Sequence, residues 1–186
     1  MNKLVAVVGM PGSGKSVATD YLEKKAFNKI YFGGVVLEKI QEAGMEINSK
    51  NEKYMREKLR EEYGMAAMAT ILLPRIKKSY EKQNTVLDGL YSWDELLVLK
   101  DNFPDLIVIC ICCDKKIRYQ RVSKRVDRPY NKNEIINRDI SEIENLAKGG
   151  PIAFADYYVL NNGNLDEYED RLEEILVAIE KQEGDK

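Results

Sequence analysis

Five short apolar stretches recur along the chain, at 4–9 (LVAVVG), 29–32 (KIYF), 85–89 (TVLDG), 105–112 (DLIVICIC) and 156–162 (DYYVLNN). Each has the length of a strand and is rich in β-branched or aromatic residues. Runs that are apolar at consecutive positions are buried on both faces. Helical patterns fill the gaps at 14–25, 34–43, 50–62, 65–82, 92–101, 114–126, 133–147 and 164–182. This alternation predicts an α/β fold with a mostly parallel sheet. Pro74 is expected to kink or divide the 65–82 segment. The helical block at 34–82 interrupts the alternation, and 127–133 (DRPYNKN) is polar and turn-rich. Both read as insertions within a single domain spanning 1–186.

Composition narrows the classes of function. A chain of 186 residues with 44% hydrophobic and 32% charged residues suits one globular domain with a substantial core. Its net charge is −2 and its pI about 5.5, which gives no footprint for duplex nucleic acid or an anionic membrane. No apolar run reaches 18 residues, and the opening MNKLVAVVGMPG is short for a signal peptide, so a cytoplasmic location is expected. There are no histidines, which excludes histidine-based triads and zinc–histidine sites. Cys110, Cys112 and Cys113 lack metal-ligand spacing and read as small buried residues, with Cys110 and Cys112 on one strand face.

Residues 9–16 (GMPGSGKS) match G-x-x-x-x-G-K-[ST] in full. The match follows a strand and precedes a helix, the context in which this loop binds phosphate. Gly9, Gly12 and Gly14 let the backbone come close to phosphate oxygens, and loop N–H groups at the helix N-terminus point at the anion. Lys15 would meet the β- and γ-phosphates, and Ser16 would offer a hydroxyl to Mg²⁺. Pro11, Ser13 and Val17 complete the expected nucleotide contacts.

Phosphoryl transfer also needs a carboxylate near the metal or the attacking oxygen, and cations for the charge that spreads over the moving group. Asp88 ends a buried strand, and ligands bind beyond the carboxyl ends of parallel strands. It is the candidate for holding Mg²⁺, directly or through water, or for accepting the acceptor's proton. The alternative is a turn or capping aspartate, but Ser92 with Asp94 and Glu95 already reads as a helix start. Arg118, Arg121, Arg125 and Arg128 recur at spacings of three and four, on one stripe of a helix running into the polar loop. The stripe reads either as a solvated basic face or, beside a phosphate loop, as a lid over 121–138 whose arginines close on triphosphate. Arg138 lies beyond the loop and could fold back toward it. Arg121 and Arg125 are the catalytic candidates, with Arg121, Arg128 and Arg138 as nucleotide contacts.

With VVGMPGSGKS, KLREEYGMAAMA (58–69), VLDG (86–89), KIRYQR (116–121), NRD (137–139) and IAFADYYVLNN (152–162) in this order, the chain resembles the nucleoside monophosphate kinase group of P-loop enzymes. It is most similar to small archaeal-type adenylate-kinase-related proteins, and it also resembles dephospho-coenzyme A kinase. The resemblance implies a five-stranded parallel sheet flanked by helices, ATP and Mg²⁺, a lid, and a small-molecule acceptor under the 34–82 block. It also implies that ADYYVLNNG follows a loop near the donor base; from the residues alone, Asn161 and Asn162 could equally close a turn.

Two positions depart from that pattern. Arginines that would clamp an acceptor phosphate fall at Leu37 and at Tyr91 or Ser92. Neither replacement offers a bidentate guanidinium. Arg56, Arg60 and Arg75 are the substitutes in the helical block, although Glu52, Glu57 and Glu61 could simply pair with the first two. Tyr91 and Trp93 could stack on a base or pack in the core. The leading expectation is an ATP-dependent phosphotransferase acting on a nucleotide-like molecule. Phosphorylation of a hydroxyl, as in dephospho-coenzyme A kinase, is the first alternative, although GG (33–34) stands where that family carries an aspartate. An ATP-hydrolysing switch with a protein partner is the second.

Overall fold

The computed structural model describes residues 2–125 and 130–181. Five strands, β1 (Leu4–Val8), β2 (Asn28–Tyr31), β3 (Thr85–Asp88), β4 (Ile107–Cys112) and β5 (Tyr157–Leu160), form one sheet in the order β2-β3-β1-β4-β5. Every pairing is parallel, with Val7 opposite Asp88 on one side and Ile109 on the other. The expected α/β architecture is therefore present, and all strands send their carboxyl ends to the same edge. Burial explains the order. Central β1 is fully buried, whereas the edge strands β2 and β5 alternate and expose Tyr31, Tyr158 and Leu160.

Helices α1 (Lys15–Lys24), α2 (Gly33–Glu42), α3 (Ser49–Tyr63), α4 (Ala67–Tyr80), α5 (Trp93–Asn102), α6 (Lys115–Ser123), α7 (Lys132–Glu144), α8 (Gly149–Ala153) and α9 (Leu165–Lys181) connect and cover the sheet. On one face, Leu4, Ala6, Val8, Leu87, Val108 and Cys110 pack with residues of α2, α3, α4 and α5. On the other, Val5, Val7, Ile109 and Ile111 meet Ala18 and Leu22 of α1 and Leu172, Leu176 and Ile179 of α9. The alternation within β1 and β4 divides the two cores residue by residue. The 34–82 block is thus three helices whose buried residues share a core with the sheet.

Two expectations change. Helix α4 runs unbroken through Pro74, so the segment is not divided there. Residues 114–126 are not helical throughout, because α6 stops at Ser123, before Arg125. Helix α8 was not foreseen; its sequence, GGPIA, carries no helical periodicity. Ser92 starts α5 with a capping box: its side chain accepts from the Glu95 N–H, and the Glu95 carboxylate accepts from the Ser92 N–H at 3.1 Å. Asp88 is therefore not needed as that cap.

Candidate nucleotide and phosphoryl site

The glycine-rich loop joins β1 to α1. Its glycines are required by what lies outside the loop as much as by what lies within it. Gly12 has φ +80°, and a Cβ there would come 2.6 Å from the Arg118 carbonyl. Gly14 has φ +104°, and a Cβ would strike the Asn161 amide. The loop is thus wedged between α6 and the end of β5. Three contacts hold it: Arg118 donates to the Pro11 carbonyl at 2.8 Å, Asn161 Nδ2 to the Ser13 carbonyl at 2.8 Å, and the Tyr168 hydroxyl to the Gly14 carbonyl at 3.1 Å. Among the described residues, the buried Ser13 hydroxyl has no hydrogen-bond partner.

A cleft of about 240 Å³ opens over this loop, lined by Pro11, Lys15, Ser16, Tyr31, Asp88, Tyr91, Arg125, Tyr130, Arg138, Glu142 and Lys148. Lys15 rests on the Met10 carbonyl at 3.2 Å. Its pKa is pushed down to about 7, first by burial among protein atoms and then by the Lys148 charge. Asp88 reaches the cleft from β3, its Oδ2 3.3 Å from the Thr19 hydroxyl. Burial raises the pKa of its carboxyl, while the Thr19 contact and Lys15 oppose the shift. Ser16 and Asp88 present hydroxyl and carboxylate oxygens to one space, a donor set suited to a hard cation such as Mg²⁺. Among the described residues, no cluster of three or more His, Cys, Asp or Glu could hold a metal by itself.

The arginines separate into different roles. Arg118 is buried and pairs with Asp139 of α7, at 2.8 Å from its NH2 group, so it does not belong to a free basic stripe. Arg121 donates to the Asn161 carbonyl at 2.9 Å and lies outside the cleft lining. Arg125 is exposed beyond the end of α6 and lines the cleft. Arg138 lines it too, donating to Glu142 at 3.1 Å and to the Tyr130 hydroxyl at 2.9 Å. Arg128 lies outside the described residues. Val17 is exposed on α1 and is not part of the lining.

The acceptor-side candidates separate as well. A second hollow of about 270 Å³ is lined by Tyr31, Gly33, Val36, Leu37, Glu52 and Arg56. Arg56 lies 3.7 Å from Glu52. Arg75 points elsewhere, in a two-pronged pair with Glu38 at 2.9 Å. Among the described residues, the buried Nε of Arg60 has no hydrogen bond; burial lowers the pKa of this arginine and the Glu95 charge opposes the shift. Tyr91 lines the main cleft, whereas Trp93 packs edge-to-face on Phe154 with ring centres 5.5 Å apart. Asn162 caps Asp114 N–H at 2.9 Å, a turn-closing role.

Sequence reasoning missed Lys148. It is fully buried, its ammonium touches the Glu142 carboxylate, and it lies 4.7 Å from the centre of the Tyr91 ring. In KGGP it reads as an ordinary loop cation. Its partners come from another helix and another strand end.

Comparison with known proteins gives the family and the fold. Residues 5–146 match the family profile described as "AAA domain". A UPF0200 protein of Thermococcus gammatolerans is 31% identical over 181 residues, covering 95% of each chain. One from Methanococcus maripaludis strain C7 is 34% identical over 182 residues, covering 96% of this chain and 98% of the other. The chain belongs to the AAA domain family and to the UPF0200 family. Solved structures share the fold at low identity. TT1252 from Thermus thermophilus has a TM-score of 0.64 at 16% identity, covering 95% of this chain and 97% of the other. Shikimate kinase from Bacteroides thetaiotaomicron has a TM-score of 0.61 at 12% identity, covering 96% and 98%. The fold is that of P-loop kinases. Among the described residues, no helix is long and apolar enough to cross a membrane.

Proposed function

We propose that the chain is an ATP-dependent phosphotransferase acting on a nucleotide-like small molecule. The observation that carries this reading is the meeting of Lys15, Ser16, Asp88, Arg125 and Arg138 in one cleft. The loop N–H groups and Lys15 hold the donor phosphates. Mg²⁺, held by Ser16 and by Asp88 directly or through water, would neutralise phosphate charge when bound. The acceptor oxygen forms a bond to the γ-phosphorus as the bond to the β–γ bridging oxygen breaks. The bonding electron pair leaves with ADP. Asp88 has one of two roles: it holds the metal, or, made a stronger base than a free carboxylate by its burial, it takes the acceptor's proton. Arg125 and Arg138 spread the charge of the moving group and close the cleft against water.

The second hollow, which shares Tyr31 with the main cleft, supports placing the acceptor beside Arg56 and Leu37. An ADP-release assay with ATP and a panel of nucleoside monophosphates, nucleosides and dephospho-coenzyme A tests the reading. Release that rises with one acceptor supports a kinase and names its substrate. A second reading, an ATP-hydrolysing switch with a protein partner, is favoured by the absence of arginine at Leu37 and Tyr91. ADP release indifferent to every acceptor would select it.

A further inference from the structure

Lys148 and Glu142 are buried in the cleft wall yet belong to no part of the mechanism described so far. Taking a lysine out of water is costly unless it is paired, and one carboxylate here serves two cations. Glu142 receives both Lys148 and the Arg138 side chain. Lys148, Glu142 and Tyr91 all contribute to the lining that also contains Lys15. Among the described lining residues, four cations (Lys15, Arg125, Arg138 and Lys148) face two carboxylates (Asp88 and Glu142). Arg138 is partly exposed and has a second partner in Tyr130, but Lys148 is held on three sides: by Glu142, by the Tyr91 ring and by its own loop, whose N–H donates to the Glu142 carbonyl at 3.2 Å.

We propose that Lys148 is a second catalytic lysine, set opposite Lys15, that contacts the phosphoryl group while it is in transit. The proposal rests on the phosphotransferase reading above. Glu142 and Tyr91 fix the direction of the ammonium before any ligand arrives, so that no reorganisation is needed when charge develops on the equatorial oxygens. Burial pulls the Lys148 pKa down and the touching Glu142 carboxylate opposes that shift; the role is that of the protonated ammonium, which stabilises charge and moves no proton. The surplus of cations also accounts for the effect of the Lys148 charge on Lys15, because an entering phosphoryl group supplies the missing anion between them. Lys148 thereby returns a cation to the place where Tyr91 offers none.

The test needs no knowledge of the acceptor. ADP with Mg²⁺ is titrated into the chain with and without fluoroaluminate, a planar mimic of the moving phosphoryl group. The readout is the ratio of the two affinities, which a merely structural residue would not change. In the unsubstituted chain, fluoroaluminate should tighten ADP by at least about 10²-fold. Lys148→Met together with Glu142→Gln removes the buried pair; Arg138 loses its carboxylate partner but keeps the Tyr130 hydroxyl, and Lys148→Met alone, which leaves Glu142 paired with Arg138, is measured beside it. Both variants should lose on the order of 10²-fold of that enhancement, whereas Lys148→Arg should keep most of it. Full enhancement in the double variant would overturn the role of Lys148 and leave the kinase reading intact. No enhancement in the unsubstituted chain would overturn both. Should the double variant fold poorly, Lys148→Gln in an otherwise unchanged chain gives the same ratio, with the same two outcomes.

Discussion

Arg118 and Asp139 form a buried ion pair that ties α6 to α7, and the same guanidinium donates to the Pro11 carbonyl of the phosphate loop. One side chain thus links the loop to the helix that carries Arg138 and Glu142. Replacing Asp139 by Asn leaves a buried guanidinium without its counter-charge. Breaking a buried pair from one side costs about 3–5 kcal/mol. The Asp139→Asn chain should show a urea midpoint lowered accordingly. An unchanged midpoint would mean that the pair contributes nothing to the loop's support.

Asp88→Asn should lower acceptor-dependent turnover by about 10²–10⁴-fold, the usual worth of a positioned base. ATP affinity should change little, because the loop N–H groups and Lys15 are untouched. Turnover near that of the original chain would remove Asp88 from the reaction.

Lys15 has a folded-state pKa of about 7, below its ordinary 10.5. A bound triphosphate favours the ammonium and raises that pKa, so binding takes up a proton wherever the unliganded lysine is neutral. ATP affinity is therefore full below about pH 7. It weakens as pH rises above 7, by up to about tenfold per pH unit until the pKa of the complex is reached. Calorimetry in buffers of differing ionisation enthalpy should record proton uptake at pH 8. Lys15→Met should abolish both the uptake and the slope.

Gly12→Ala forces a side chain onto a φ of +80° and toward the Arg118 carbonyl. Backbone strain alone is worth about 1–3 kcal/mol, and the loop must also shift off α6. ATP binding should fall roughly tenfold or more, with each 1.4 kcal/mol of strain relieved by loop movement appearing as a factor of ten. A titration that matches the unsubstituted chain would show that the loop does not need this close approach.

The central strands β1, β3 and β4 were legible because each is a continuous apolar run, which needs no periodicity to be recognised, and the edge strands β2 and β5 by their β-branched and aromatic residues. The phosphate loop was legible because its glycines, lysine and serine sit at fixed spacing beside each other. The arginine stripe misled for a physical reason. Spacing of three and four describes one face only while the helix lasts, and α6 ends at Ser123. What remains on it, Arg118 and Arg121, is occupied by Asp139 and Asn161, partners that no local pattern reveals. Lys148 was invisible for the same reason. Its meaning depends on Tyr91 and Glu142, which only the fold brings together.

Tyr31 ends the edge strand β2, and its exposed ring belongs to both the phosphate cleft and the hollow beside Arg56. The two spaces meet at that ring. Under the phosphotransferase reading, a molecule that occupied both spaces would lie against this aromatic ring. On that reading, the ring would limit the length and bend of an acceptor by shape, a selection separate from the pull of the cations.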